Sequence, residues 1–175
     1  LLLGLITVSG NDAATLLAVG IDGSEAEFVK RMNRVAGDIG MTNSRFGTPS
    51  GWPDGGRTMV SAEDMIRLAD RLIRDHPEAY ARYFSRPRLE HGLSPDKKPI
   101  VQRNRNPILG RFDGADGLKT GYTQEAGYCF LGSAERDGRR LIMVVAGMES
   151  AQARREEAER LMTWGFTAWE GRVIS

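Results

Sequence analysis

Asp116-Gly117-Leu118-Lys119-Thr120-Gly121-Tyr122-Thr123 leads through Glu125-Ala126-Gly127 into a strand-like run over residues 128–135, and Asp137-Gly138 separates that run from a second one over 141–145. An Asp-Gly dipeptide between two strand-like runs marks a two-residue hairpin turn, whose central positions both take positive φ. The 118–123 segment is then a neighbour of this hairpin in one antiparallel sheet, and Lys119 sits on a strand. From about residue 151 a helical pattern runs to residue 169, with Leu161, Met162 and Gly165 on its packing face. A helix that follows an antiparallel hairpin buries one face of the sheet.

Upstream, the pattern is helical. Ser24 and Glu27 form a capping box ahead of Phe28, Met32, Val35, Ala36 and Ile39 at helical spacing, and Gly37 and Gly40 mark the exit. Ser61 with Asp64 opens a second helix through Met65, Leu68, Ala69, Leu72 and Ile73, which ends at His76-Pro77. Residues 43–59 are crowded with Gly, Pro and Asn and form a loop long enough to wall a site. The apolar residues 1–8 read as the end of a core helix and are far fewer than the roughly 20 that span a membrane.

Composition narrows the function. The 175 residues, 41% hydrophobic, bury one core. A net charge of +1 with no basic block gives no support to a nucleic-acid partner. The single cysteine, Cys129, excludes an internal disulfide and reads as a small buried hydrophobe in a strand. His76 and His91 lack the spacing of a zinc site, and Asp113-Gly114-Ala115-Asp116-Gly117 reads as a turn before a strand in preference to a calcium loop.

Ser9-Gly10-Asn11 and Lys119-Thr120-Gly121 are, in that order, two of the three motifs of a penicillin-recognising serine site. Each alone is weak, and Ser9-Gly10-Asn11 also reads as a turn between helices. Together with Asp116 to Thr123 running into Glu125-Ala126-Gly127-Tyr128-Cys129, with Met41-Thr42-Asn43-Ser44-Arg45-Phe46, with Asn104-Arg105-Asn106 and with Thr163-Trp164-Gly165-Phe166, they give a chain that resembles the serine D-alanyl-D-alanine carboxypeptidases, the low-molecular-mass penicillin-binding proteins, over nearly its whole length. The resemblance implies an α+β fold of the β-lactamase and transpeptidase kind: an antiparallel sheet flanked by helices, incomplete at the N-terminus, with a helical lobe over 1–83 and sheet strands and closing helix over 84–175.

The resemblance also implies an activity and the residues that carry it. The missing motif, Ser-x-x-Lys, precedes the other two in such enzymes, and only eight residues precede Ser9, so the nucleophile and its base are expected in a segment of the same protein outside this chain. Ser9 would relay a proton to the leaving nitrogen, and Asn11 would hold the substrate amide. Lys119 would place a cation beside the attacking centre and the terminal carboxylate, with Thr120 donating to that carboxylate. Gly121 would let an extended peptide lie against the strand edge. Arg154 matches an arginine at the carboxylate end of the cleft, Asn104-Arg105-Asn106 matches a loop near the site, and Tyr122 stands where some relatives carry histidine. The expected partners are peptidoglycan pentapeptides and β-lactam antibiotics, with no metal or organic cofactor. The expected location is the periplasm or the outer face of the cytoplasmic membrane, with any membrane association made through regions outside this chain.

Ser94-Pro95-Asp96-Lys97 matches Ser-x-x-Lys in letters only. Serine and lysine three apart share a face only on a helix, whereas Pro95 tolerates just a first turn and Pro99 forces Lys98 out of helical geometry. It reads as an exposed hairpin tip. Two rivals share the remaining motifs: a β-lactamase, which wants a Glu-x-x-Leu-Asn pattern that is absent here, and a non-catalytic peptidoglycan-binding module.

Overall fold

Three helices of this protein start at serines whose hydroxyls accept a backbone N–H three residues on: Ser24 from Glu27 at 3.2 Å, Ser61 from Asp64 at 3.1 Å and Ser150 from Ala153 at 3.0 Å. The computed structural model describes residues 1–169, so the last six residues of the 84–175 unit lie outside the described residues. Five helices come first: α1 (Leu2–Val8), α2 (Asn11–Asp22), α3 (Glu25–Asp38), α4 (Ala62–Asp75) and α5 (Pro77–Tyr83). A hairpin of β1 (Arg88–Leu93) and β2 (Pro99–Arg103) stands apart as a two-stranded sheet. The main sheet is antiparallel in the order β3 (Ala115–Thr123), β4 (Gly127–Arg136) and β5 (Arg139–Met148), and α6 (Ala151–Thr167) follows it.

The fold class expected from the sequence is the one observed, an antiparallel sheet flanked by helices. One face of the sheet is buried under α6, where Phe130, Ala134 and Val145 meet Ala158, Met162 and Ile108. The other face packs on the helical side, where Leu118, Leu131 and Ile142 meet Ala69, Leu72, Ile73 and Tyr80. The hairpin turn has Asp137 at φ 51° and Gly138 at φ 74°, the pair of positive values that the dipeptide called for.

The second helix ends at His76-Pro77 as expected, with Asp75 its last residue and His76 its cap, and Pro77 stands in the first turn of a further helix, α5, where a missing N–H costs nothing. Several other expectations need correction. The closing helix stops at Thr167, two residues short of the expected end. In α1 only Ile6 and Thr7 are buried while Leu1 and Leu2 are exposed, and Val35 lies on the outer side of α3. The 43–59 segment is a loop, as expected, and is held by specific contacts. Arg45 and Met59 pair as an isolated antiparallel bridge, Asp54 accepts from the Thr58 N–H at 3.0 Å and its hydroxyl at 2.7 Å, and buried Asp64 accepts from the Asn43 N–H at 2.8 Å and the Ser44 hydroxyl at 2.7 Å. Among the described residues, no helix is long and apolar enough to cross a membrane.

Candidate functional site

Ser9 occupies the end of α1 in a left-handed conformation, φ 55° and ψ 49°, where its N–H reaches the Leu5 carbonyl at 3.1 Å. Glycine is the low-energy residue at such a cap, and a side chain there costs on the order of 1 kcal/mol. Retaining serine at that cost points to a use for its hydroxyl. Gly10 turns the chain into α2. A Cβ at Gly10 would lie 3.1 Å from Asp12 Oδ1 and 3.3 Å from the Ala13 methyl, which makes the corner tight. Asn11 is the first residue of α2, so all three motif residues sit at one corner between two helices.

Lys119 reaches that corner from the sheet. It is paired with Leu131 on β4, which puts it on the helical side, and its ammonium donates to the Ser9 hydroxyl and to the Thr120 carbonyl at 2.8 Å. Thr120 and Gly121 continue β3, whose other edge has no partner strand among the described residues. A Cβ at Gly121 would meet only the Cys129 Cβ at 3.8 Å, an ordinary contact, so packing within the chain does not demand glycine there. What glycine provides is open backbone on the cleft side.

These groups line a cavity of about 580 Å³. Ser50 and Gly51 of the 43–59 loop form one wall, and Arg105 and Arg154 close it. Arg154 is only 9% exposed on the first turns of α6; its guanidinium lies 5.6 Å from the Tyr128 ring centroid and donates weakly to the Cys129 carbonyl at 3.5 Å. Among the described residues, no Asp or Glu lines this cavity. Burial, together with the Arg105 and Arg154 guanidinium groups, pulls the Lys119 ammonium down to about 8. Three cations converging without a counter-charge suit a carboxylate, which would gain charge-assisted hydrogen bonds away from bulk water.

Six residues singled out from the sequence lie on this cavity: Ser9, Asn11, Lys119, Thr120, Gly121 and Arg154. Of Asn104-Arg105-Asn106, only Arg105 reaches it. Asn104 and Asn106 shape the loop, with the Asn106 side-chain oxygen Oδ1 accepting the Ile108 N–H at 3.0 Å. Cys129 corrects an expectation, since it is half-buried on the cavity wall and not a core residue. Ser94 and Lys97 are elsewhere, in the β1–β2 turn, where the Lys97 N–H bonds the Ser94 carbonyl at 2.8 Å and Lys97 has φ 59°. The contribution of Ser50 and Gly51 could be anticipated only from loop length.

The family model for D-alanyl-D-alanine carboxypeptidases, peptidase family S11, matches residues 1–150. Among curated proteins, the chain is 39% identical over 169 residues to the D-alanyl-D-alanine carboxypeptidase DacA of Haemophilus influenzae, a match covering 95% of this chain and 41% of that protein. Among solved structures, it resembles the D-alanyl-D-alanine carboxypeptidase DacD of Francisella tularensis with a TM-score of 0.87 at 33% identity, covering 95% of this chain and 51% of that one. It also resembles penicillin-binding protein D2 of Listeria monocytogenes, solved with ampicillin bound, with a TM-score of 0.83 at 38% identity over 94% of this chain and 65% of that one. The chain thus spans about two fifths of the length of the curated relative. With five motif residues and Arg154 gathered on one cationic cleft and a family model matching most of its length, the chain belongs to the D-alanyl-D-alanine carboxypeptidase family, peptidase family S11.

Proposed function

We propose that this chain supplies two of the three motif walls of a serine carboxypeptidase that removes the terminal D-alanine from peptidoglycan pentapeptides through an acyl-enzyme, and that β-lactams acylate it as substrate mimics. The nucleophilic serine and its lysine base would come from a Ser-x-x-Lys segment in the rest of the protein, since the only such match here lies in a hairpin turn away from the cleft. The helical part over 1–83 and the sheet part over 84–175 would act as the two sides of one catalytic unit, working in the periplasm or at the outer face of the cytoplasmic membrane.

The observation that carries this reading is the contact between Lys119 and Ser9, 110 residues apart in sequence and joined across the cleft. Because the ammonium donates to the Ser9 oxygen, the hydroxyl proton is free to pass to the nitrogen that leaves when the peptide bond breaks. The same ammonium, with the Thr120 hydroxyl and the Arg154 guanidinium, would hold the terminal carboxylate. Asn11 would orient the substrate amide, and the free edge of β3 at Gly121 would take the peptide as an added strand.

The test uses the full protein and measures D-alanine release from an acylated D-alanyl-D-alanine peptide. Lys119→Ala removes a charge-assisted hydrogen bond and should slow release at least about tenfold. Lys97→Ala, an exposed turn substitution, should change it by less than about twofold. The reverse ranking would assign the chemistry to the wrong lysine.

A further inference from the structure

A second cavity, of about 690 Å³, lies on the far side of Arg105 and Arg154 from the catalytic cleft, between the base of the β1–β2 hairpin, the 104–111 loop and the start of α6. Six arginines line it, Arg88, Arg103, Arg105, Arg111, Arg154 and Arg155, and among the described residues no Asp or Glu does. Arg88 pairs with Glu90 at 3.0 Å on the exposed hairpin. The other five make no ion pair among the described residues.

Folding places these like charges together at a cost. Arg88 and Arg103 are direct cross-strand partners, an arrangement that repels. Arg154 and Asn106 are 9% and 7% exposed and both form part of the cavity wall, and behind that wall Arg154 Nε and Asn106 Nδ2 are buried without an acceptor. Buried donors are normally satisfied, so this wall of the cavity is short of acceptors as well as of negative charge. Ala151, the first residue of α6, adds the positive end of a 17-residue helix.

We propose that this cavity is a second anion site, distinct from the carboxylate grip of the cleft, and that it takes a phosphate-type oxyanion. A single carboxylate would leave most of the charge unbalanced. Phosphate oxygens are several, strongly accepting and matched to the forked guanidinium geometry that five free arginines present. The source is either free phosphate or a phosphodiester polymer. Since Arg105 and Arg154 belong to both cavities, an anion held here withdraws part of their field from Lys119. The site itself does not depend on the catalytic reading.

The experiment measures inorganic phosphate binding to the full protein by calorimetry at constant ionic strength, with the melting temperature read in parallel. The unaltered protein should show one saturable site and a phosphate-dependent rise in melting temperature. Arg103→Ala/Arg111→Ala/Arg155→Ala should weaken binding at least about tenfold and, by relieving repulsion, melt no lower than the unaltered protein without phosphate. Asn106→Asp keeps the side-chain oxygen that caps Ile108 but adds a negative charge to the cavity wall, and should weaken binding by a similar factor. A short glycerol phosphate oligomer run alongside identifies the source: tighter binding than phosphate points to a polymer, weaker binding to the free ion. No saturable phosphate binding by the unaltered protein, equal affinity in both variants, or tighter binding of succinate than of phosphate overturns the proposal.

Discussion

Lys119 is held at about 8, whereas an ordinary lysine titrates near 10.5, and the displacement comes first from burial and then from Arg105 and Arg154. Its charge is therefore complete below about pH 7 and is lost as pH rises through 8, within reach of enzyme assays. If the ammonium grips the carboxylate, penicillin acylation of the full protein should fall across that window, with the loss on the alkaline side. Replacing Arg105 by Gln removes a neighbouring cation, favours the protonated form and should shift the falling limb to higher pH. A limb that stays in place, or moves down, would show that Lys119 does not set it. At this scale much was legible in the sequence. Ser9, Asn11 and Lys119 were identifiable because motif spacing survives without coordinates. Arg105 and the 50–51 turn were less so, since their approach to the cleft depends on loops whose paths are set by contacts distant in sequence: Asp64 holds the Asn43 and Ser44 end of one, and the Thr7 carbonyl accepts the Arg105 N–H at 3.0 Å in the other.

Among the elements, α5 was not read from the sequence, because Pro77, which follows the end of α4, is also the first residue of a further short helix. It carries Tyr80, buried to 3% exposure, whose ring stacks on Phe84 at 5.3 Å and whose hydroxyl donates to Asp116 at 2.9 Å. Arg140 of β5 holds the other Asp116 oxygen at 2.8 Å and the Ser133 hydroxyl at 2.6 Å, so one network ties α5 to all three strands of the main sheet. The Asp116 carboxylate thus belongs to this network. Gly117 lets Tyr80 approach: a Cβ there would fall 2.2 Å from the phenol oxygen and 2.9 Å from its ring carbon. Gly117→Ala should therefore destabilise the full protein by about 1–3 kcal/mol in urea unfolding. Tyr80→Phe alone should cost about 1 kcal/mol through the lost hydrogen bond. Because the phenol oxygen is the atom in conflict, the double variant should be less destabilised than the sum of the two, and strictly additive losses would contradict this account of the glycine.

For the molecule as a whole, strands, capping serines and the hairpin turn were legible because each depends on local chemistry. Tertiary placement was not: nothing local says that the α1–α2 corner meets β3, or that six arginines from the hairpin, the 104–111 loop and α6 gather on one cavity. The central claim is that the cleft built by Ser9, Asn11 and Lys119 serves a nucleophile supplied by another segment of the same protein. The most direct measurement is to incubate the full protein with ampicillin, digest it and locate the covalent adduct by mass spectrometry. The account predicts one adduct, on the serine of a Ser-x-x-Lys segment outside residues 1–175, with Ser9 and Ser94 unmodified. An adduct on Ser94, on Ser9 or on any other serine of this chain would contradict it.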